Sequence, residues 1–68
     1  MTLNDLENWF TYHAPNADDK DKYVKIRAAG YALALMIFEN TPECADRSSA
    51  IRKVREAVMT ANAAIACK

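Results

Sequence analysis

Residues 23–38 read YVKIRAAGYALALMIF, and the spacing of their apolar side chains predicts the middle of a long helix. One row advances by three and four residues, as a seam against another helix does: Tyr23, Ile26, Gly30, Leu33 and Ile37. A second apolar row lies beside it: Val24, Ala28, Tyr31, Leu35 and Phe38. Because the two rows cover more than one face, this helix is predicted to be covered from several sides, which a single partner helix cannot do.

A second long helix is predicted after a short break. Residues 40–42, Asn-Thr-Pro, end the first helix because proline cannot continue its hydrogen bonding. Beyond the break the same three-and-four spacing returns in Ile51, Val54, Val58, Ala61 and Ile65. The short connection implies that the two helices form an antiparallel hairpin.

A short helix precedes the hairpin. Thr2 followed by Asp5 is typical of a capping box, and Pro15 ends the helical pattern before a turn in which Asn16 or Asp18 caps the next helix. The predicted helices span about residues 2–11, 18–40 and 43–66. The expected fold is therefore all-α, a short N-terminal helix followed by an antiparallel two-helix hairpin in one domain of residues 1–68.

The size of the chain favours self-association. It has 68 residues, and below about 70–80 residues one core seldom contributes more than ~3–5 kcal/mol. A disulfide cannot help, because a helix between Cys44 and Cys67 would hold the two sulfurs about 30 Å apart. These cysteines and His13 share no metal-ligand spacing, so neither a metal nor another cofactor is expected. We therefore expect a homo-oligomer.

Several classes of protein are disfavoured by composition. The longest apolar run without a charge, residues 28–38, is far shorter than the roughly 20 residues of a membrane span. No secretory signal opens the chain, so a cytoplasmic location is expected. A nucleophile paired with a base is not visible either, so an enzyme is not expected.

Charge is balanced overall but divided along the chain. Nine basic residues face nine acidic ones. In residues 1–22 five carboxylates outnumber two lysines, whereas in residues 47–68 five basic side chains accompany one glutamate. The basic third helix is interpreted as a solvated face. The alternative is a small nucleic-acid-binding or partner-binding hairpin that uses Arg47, Arg52, Lys53 and Arg55, although the zero net charge counts against a nucleic-acid polymer as ligand.

The end of the first helix carries a cluster of rings. Trp9 and Phe10 are expected in the core, whereas Tyr12 and His13 project from a turn that Pro15 constrains. An aromatic ring in such a turn can stack on a flat heterocycle, which contributes ~1–3 kcal/mol per base. His13 is interpreted as a turn residue that bonds to local backbone.

Two basic residues lie in the middle of the second helix. Lys25 and Arg27 face different ways, because successive helical residues differ by about 100°. Arg27 lies beside the seam, so its guanidinium either pairs with a carboxylate or serves an anion, and its planar fork suits phosphate. Gly30 costs about 1 kcal/mol relative to alanine in a helix, which predicts a close approach of backbone or ligand at this point.

Three segments together resemble a known family. They are the turn at residues 10–15 (FTYHAP), the stretch at residues 23–28 (YVKIRA) and the tail at residues 46–66. They are similar to phage anti-CBASS cyclic-oligonucleotide sponges, whose helical hairpin is shared with Thoeris-inhibiting sponges. The resemblance covers nearly the whole chain and implies a homohexamer without catalytic activity. Such a protein would sequester the immune signals of the host cell, in its cytoplasm.

The resemblance also implies a set of binding residues. In the family an aromatic residue of the N-terminal turn stacks on a base and a basic residue of the long helix holds a phosphate, positions that match Tyr12 and Arg27. His13, Lys25 and Gly30 complete the candidate ligand-binding set. The implied ligands are cyclic dinucleotides, and in some members cyclic trinucleotides; the preferred nucleotide and a second, trinucleotide pocket stay open. Family members can carry lysine at the phosphate position, so Arg27 departs in residue type but not in charge.

Overall fold

Three helices and no strand make up residues 1–67, the part of the chain that the computed structural model describes. Helix α1 spans Leu3–Trp9, α2 spans Ala17–Asn40 and α3 spans Ala45–Ala66. Helices α2 and α3 pack against each other as a hairpin closed by residues 41–44. The all-α prediction is confirmed.

The seam of the hairpin follows the predicted spacing, with one exchange. On α3 all five predicted seam residues are half-buried, as are Tyr23, Ile26, Gly30 and Ile37 on α2. Leu33, however, is 50% exposed, and Ala34 occupies the seam instead. The half-buried row of α2 thus advances by four residues, from Gly30 to Ala34. Close contact at the glycine favours a small side chain on the next turn.

Gly30 lies in close contact with α3. A Cβ atom on Gly30 would clash with Cγ2 of Val58, a short branched side chain that cannot swing away. The predicted close approach is therefore an approach of α3. The same contact also sets the register of the hairpin.

Gly30→Ala is expected to destabilise the protein. The added methyl group overpacks the seam at a cost of ~1–3 kcal/mol, which exceeds the gain of about 1 kcal/mol in helix propensity. A net loss of ~1 kcal/mol lowers Tm by about 4–8 °C in a domain of this size. Thermal denaturation followed by circular dichroism measures it. The double variant with Val58→Ala should recover part of the loss, and a Tm that rises in Gly30→Ala alone would contradict the packing.

The two ends of α2 are closed by local hydrogen bonds. Asn16 caps the N-terminus, because its Oδ1 accepts from the Asp19 amide at 2.8 Å. At the C-terminus the Thr41 hydroxyl donates to the Ile37 carbonyl at 2.6 Å. The guanidinium of Arg47 lies 4.4 Å from the centroid of the Phe38 ring, so α3 holds the end of α2 through a cation–π contact.

Helix α1 begins at the predicted capping box and ends early. The Thr2 hydroxyl accepts from the Asp5 amide at 3.2 Å, and the Thr2 amide donates to Asp5 Oδ2 at 2.9 Å. The hydrogen bond from the Thr2 amide lowers the pKa of Asp5 below its usual 3.8. The helix stops at Trp9, two residues before the predicted end, and the Thr11 hydroxyl donates to the Glu7 carbonyl at 2.6 Å.

Helix α3 also begins slightly later than predicted. Its N-cap is Cys44, which makes no side-chain capping bond, and its first residue is Ala45. Cys44 and Cys67 are free and flank the two ends of α3. This arrangement confirms that the length of the helix keeps the two thiols apart.

The chain is flat and elongated, and much of its surface is accessible to solvent. Its extents are 44 × 28 × 13 Å and its radius of gyration is 15.0 Å, where a compact chain of this length has about 11 Å. Its accessible surface is 5552 Å², against about 4,300 Å² for a compact protein of the same mass. Among residues 1–67 no hydrophobic side chain is fully buried. A single hairpin therefore leaves most of its apolar surface in water.

The prediction of core positions for Trp9 and Phe10 is wrong for the single chain. These rings are 60% and 84% exposed. Helix α1 is too short to form a second layer, and only its C-terminal end is hydrogen-bonded to the end of α3. The second apolar row of α2 is also exposed, because no further layer covers it in a single chain. Tyr31 and Phe38 of this row are more than half accessible.

Candidate ligand-binding site

The turn between α1 and α2 presents Tyr12 to solvent. Its ring is 84% exposed, and the neighbouring His13 is half-buried. The Nε2 atom of His13 donates to the Asn8 carbonyl at 2.8 Å, which confirms its predicted bond to local backbone. His13 thus holds the turn, and Tyr12 is free to contact a ligand.

The turn is also attached to the far end of the hairpin. Asn8 Nδ2 donates to the Cys67 carbonyl at 2.6 Å, just beyond the last residue of α3. The Cys67 thiol lies 3.7 Å from the Asn8 carbonyl that also accepts from His13. This junction places the aromatic turn at the open end of the hairpin, opposite the closed end at residues 41–44.

Arg27 lies in a small hollow on one face of the hairpin, here called the arginine hollow. It has a volume of about 240 Å³. Its polar side chains are Arg27, Tyr31 and Arg55, and the other lining residues are apolar: Gly30, Ala34, Ile51, Val54, Val58 and Met59. Among the described residues no carboxylate lines this hollow, and its surface is almost wholly apolar, so the two arginines contribute the aliphatic parts of their side chains to it.

Neither guanidinium of this hollow is neutralised within the described chain. The ion pairs among residues 1–67 join Lys22 to Asp18 and Lys25 to Asp21, each at 3.1 Å, and involve neither Arg27 nor Arg55. Arg52 and Glu56 lie four residues apart on α3 but form no ion pair within residues 1–67. The sequence left two alternatives for Arg27, a carboxylate partner or an anionic ligand. No carboxylate within residues 1–67 pairs with Arg27, which leaves the anionic ligand.

The other predicted residues occupy different places. Lys25 is tied to Asp21 on an exposed surface and points away from Arg27, two residues further on. Gly30 lines the arginine hollow but is accounted for by its contact with Val58. Tyr12 does not line the arginine hollow. Ala17 is the first residue of α2, and Arg27 lies ten residues further on, which is about 15 Å along the helix.

A second hollow occupies the opposite face, here called the alanine face. Gly30, Val54 and Val58 line both hollows, so the seam separates the two faces of a thin layer. The alanine face has a volume of about 490 Å³ and an almost wholly apolar lining that includes Ile26, Ala29, Leu33, Ala57 and Ala61. Lys53 is its only charged lining residue within the described chain. Small side chains on two neighbouring helices allow another helix to approach closely.

A third depression lies between the aromatic turn and α3. Trp9 and Phe10 form one wall, and α3 supplies the rest through Glu56, Met59, Thr60, Ala63, Ala64 and Cys67. Met59 lines both this groove and the arginine hollow.

Sequence reasoning missed that Arg55 lines the same hollow as Arg27. A signal was present, because Arg55 lies four residues after Ile51 and four before Met59, on the row next to the seam. That spacing places it beside the hairpin partner but leaves open which part of α2 it faces. The contact between Gly30 and Val58 determines this register.

The fold and its open faces define a small helical-hairpin protein. None of the helices within residues 1–67 combines the length and apolar character that crossing a bilayer requires. The model of the Acb2/Tad1 hairpin domain matches residues 2–66, nearly the entire chain. The protein therefore belongs to this family of anti-CBASS and anti-Thoeris sponges, phage proteins that bind signalling molecules. Neither a curated protein nor a solved structure matches it.

Proposed function

We propose that this protein sequesters cyclic dinucleotides in clefts between subunits and so withholds an immune signal from its effector. The observation that carries the proposal is Arg27, an exposed basic residue of α2 that forms no ion pair within residues 1–67. A phosphate is the anion that its planar fork suits best. The site of action would be the cytoplasm of the infected host cell, where such signals are made.

The aromatic component would come from a second copy of the chain. Tyr12 is exposed in a turn that a hydrogen bond from His13 to the Asn8 carbonyl closes, and it does not line the hollow that Arg27 lines. A cyclic dinucleotide has two bases and two phosphates with near two-fold symmetry. Two copies related by a two-fold axis would present two rings and two guanidiniums in the same arrangement.

The surface of the hairpin supports self-association. The chain has more accessible area than a compact protein of its mass. The hollow on the alanine face has a volume of about 490 Å³, and its lining is almost wholly apolar. We therefore propose a homo-oligomer, with six copies as the family resemblance implies. Assembly would prepare the clefts before the ligand arrives, which reduces the entropic cost of binding.

The contact energies of the proposed cleft suit tight binding. Each charge-assisted contact between arginine and phosphate contributes ~1.5–3 kcal/mol, and each stacked base ~1–3 kcal/mol. Two of each approach the roughly 12 kcal/mol of nanomolar binding when the cleft is already formed. His13 would keep the turn in place through its bond to the Asn8 carbonyl.

The alternative of a nucleic-acid-binding hairpin receives less support. Arg47, one of its four basic residues, stacks on Phe38 at the end of α2, so its guanidinium is engaged within the fold. The chain has no net charge to attract a polymer. Affinity for a duplex that falls steeply with salt, together with no affinity for cyclic nucleotides, would favour this alternative.

Calorimetry tests the proposal directly. The full chain is titrated with a panel of cyclic di- and trinucleotides, and light scattering counts the subunits in the same samples. We expect saturable binding of at least one cyclic dinucleotide at one ligand per two chains. Absence of heat with every cyclic nucleotide, or a folded monomer without clefts, would refute the proposal.

Tyr12→Ala should weaken binding by well over tenfold, since each cleft loses two stacking rings. Because Tyr12 is exposed, the helix content and the mass of the assembly should stay unchanged. Titration calorimetry measures the affinity, and Tyr12→Phe is the matched control, which keeps the ring and removes the hydroxyl. Equal losses in both variants would show that the hydroxyl matters and that stacking does not.

A further inference from the structure

We propose that Asn8 is a positioning residue of the ligand-binding site, which fixes the Tyr12 ring by fastening the turn of residues 10–16 to the C-terminal end of α3. This inference rests on the proposed function and adds a residue to the same site. The Tyr12 side chain is 84% exposed, so its own packing does not hold it. The place of the ring is therefore set by the backbone of the turn.

Asn8 is the residue of α1 that lies against the rest of the fold. It is half-buried, whereas the other six residues of this helix are exposed, including the apolar side chains of Leu3, Leu6 and Trp9. A polar side chain thus occupies the position where an apolar one would be expected. Because a half-buried amide loses part of its hydration, hydrogen bonds within the protein must account for this placement.

Two hydrogen bonds extend from Asn8 in opposite directions. Its Nδ2 donates to the carbonyl of Cys67, the C-cap of α3, at 2.6 Å. A carbonyl at a helix C-terminus has no partner within its own helix, so the amide satisfies it. The main-chain carbonyl of Asn8 accepts from Nε2 of His13 at 2.8 Å and closes a loop over residues 8–13. Asn8 therefore links the neighbour of Tyr12 to the end of α3.

This link is the polar attachment of α1 to α3. Within residues 1–67 the hydrogen bonds between these two helical ends all join Asn8 to Cys67, the second one from the Cys67 thiol to the Asn8 carbonyl at 3.7 Å. The packing of α2 against α3 does not pass through α1. Loss of the Asn8 side chain should therefore loosen the turn and leave the hairpin folded.

A loosened turn should bind the ligand more weakly. The ring would still be present, but the backbone that carries it would have to be ordered when the ligand binds. Ordering the backbone of one residue lowers an affinity by about tenfold. With the side-chain bond of Asn8 in place, the turn is already ordered before the ligand arrives.

The test compares two asparagines of α1 in the full-length protein. Asn8→Ala removes the donor to Cys67, whereas Asn4→Ala removes the same side chain from an exposed position of the same helix. With the cyclic dinucleotide that binds wild type best, calorimetry should record at least a tenfold loss for Asn8→Ala and less than twofold for Asn4→Ala. Asn8→Gln keeps an amide donor and should retain more affinity than Asn8→Ala.

A double-mutant cycle distinguishes positioning from a merely structural role. In a Tyr12→Ala background, titrated at high ligand concentration, Asn8→Ala should change the affinity by less than twofold, because no ring is left to position. A structural residue would lower the affinity by the same factor in both backgrounds. Without ligand, hydrogen exchange of the turn amides should be faster in Asn8→Ala than in Asn4→Ala or wild type.

Several results would overturn this role. An affinity of Asn8→Ala within twofold of wild type, while Tyr12→Ala loses binding, would leave the proposed function standing without Asn8. Equal losses in the two backgrounds, or a smaller mass of Asn8→Ala by light scattering, would make Asn8 a residue of the fold or of the assembly. If wild type binds no cyclic nucleotide, the proposed function fails first, and this inference fails with it.

Discussion

Arg27→Ala is expected to lower the affinity for a cyclic dinucleotide at least a hundredfold. In the proposed cleft two subunits act on one ligand and each loses its guanidinium, so at least ~3 kcal/mol of charge-assisted hydrogen bonding is removed. Each 1.4 kcal/mol corresponds to a factor of about ten in affinity. Because Arg27 is exposed and has no ion-pair partner within residues 1–67, its loss should not unfold the chain.

Titration calorimetry measures this effect, and circular dichroism verifies the helix content. Arg52→Ala is the matched control, because it removes an equal charge from an exposed helical position outside the arginine hollow. Arg27→Lys should retain part of the affinity, as a point charge without a fork. Equal affinities of Arg27→Ala and Arg52→Ala would remove Arg27 from the site.

Leu33→Asp is expected to dissociate the oligomer. Leu33 is half exposed in one chain and lines the alanine face, which we assign to self-association. An aspartate there is tolerated in a lone hairpin but must lose its water when a second copy covers it, at several kcal/mol per ion. The dissociation constant of the assembly should therefore rise at least a thousandfold.

Light scattering gives the readout as a fall in mass toward the 7.6 kDa of one chain. Ligand binding should disappear with the assembly, because the cleft that we propose is formed by two copies. Ser48→Asp adds the same charge at an exposed position of α3 outside the alanine face and should leave the mass unchanged. A Leu33→Asp protein that keeps its wild-type mass would move the interface to another surface.

The two predictions depend on different faces of the same thin layer. Gly30 and Val58 separate the alanine face from the arginine hollow and line both. No hydrophobic side chain is fully buried within residues 1–67, so both faces are accessible, and we propose one for assembly and the other for the ligand. Leu33→Asp should abolish assembly and binding together, whereas Arg27→Ala should abolish binding alone.

Much of the fold follows from local rules. The capping box of Thr2 and Asp5 and the cap at Asn16 depend on residues within one turn of each other, so short-range chemistry determines them. The seam of α3 follows from helical periodicity alone. His13 could be assigned to local backbone because its acceptor, Asn8, lies in the preceding turn.

The errors arise where distant residues meet. Trp9 and Phe10 have the composition of core residues, yet a seven-residue helix provides no layer against which they can be buried. Ala34 replaces Leu33 in the seam because contact at Gly30 selects a small neighbour one turn later. Periodicity identifies the side of a helix that is apolar, but it cannot specify the register against a partner.

The sequence alone determined the three helices, the hairpin, the family resemblance and the position of Arg27 beside a seam. Each of these depends on spacing along one helix or on residues a few positions apart. Only the tertiary structure decided that Arg27 and Arg55 line the same hollow and that Tyr12 lies outside it. The reason is that a close contact between Gly30 and Val58, 28 positions apart, sets how far one helix slides along the other.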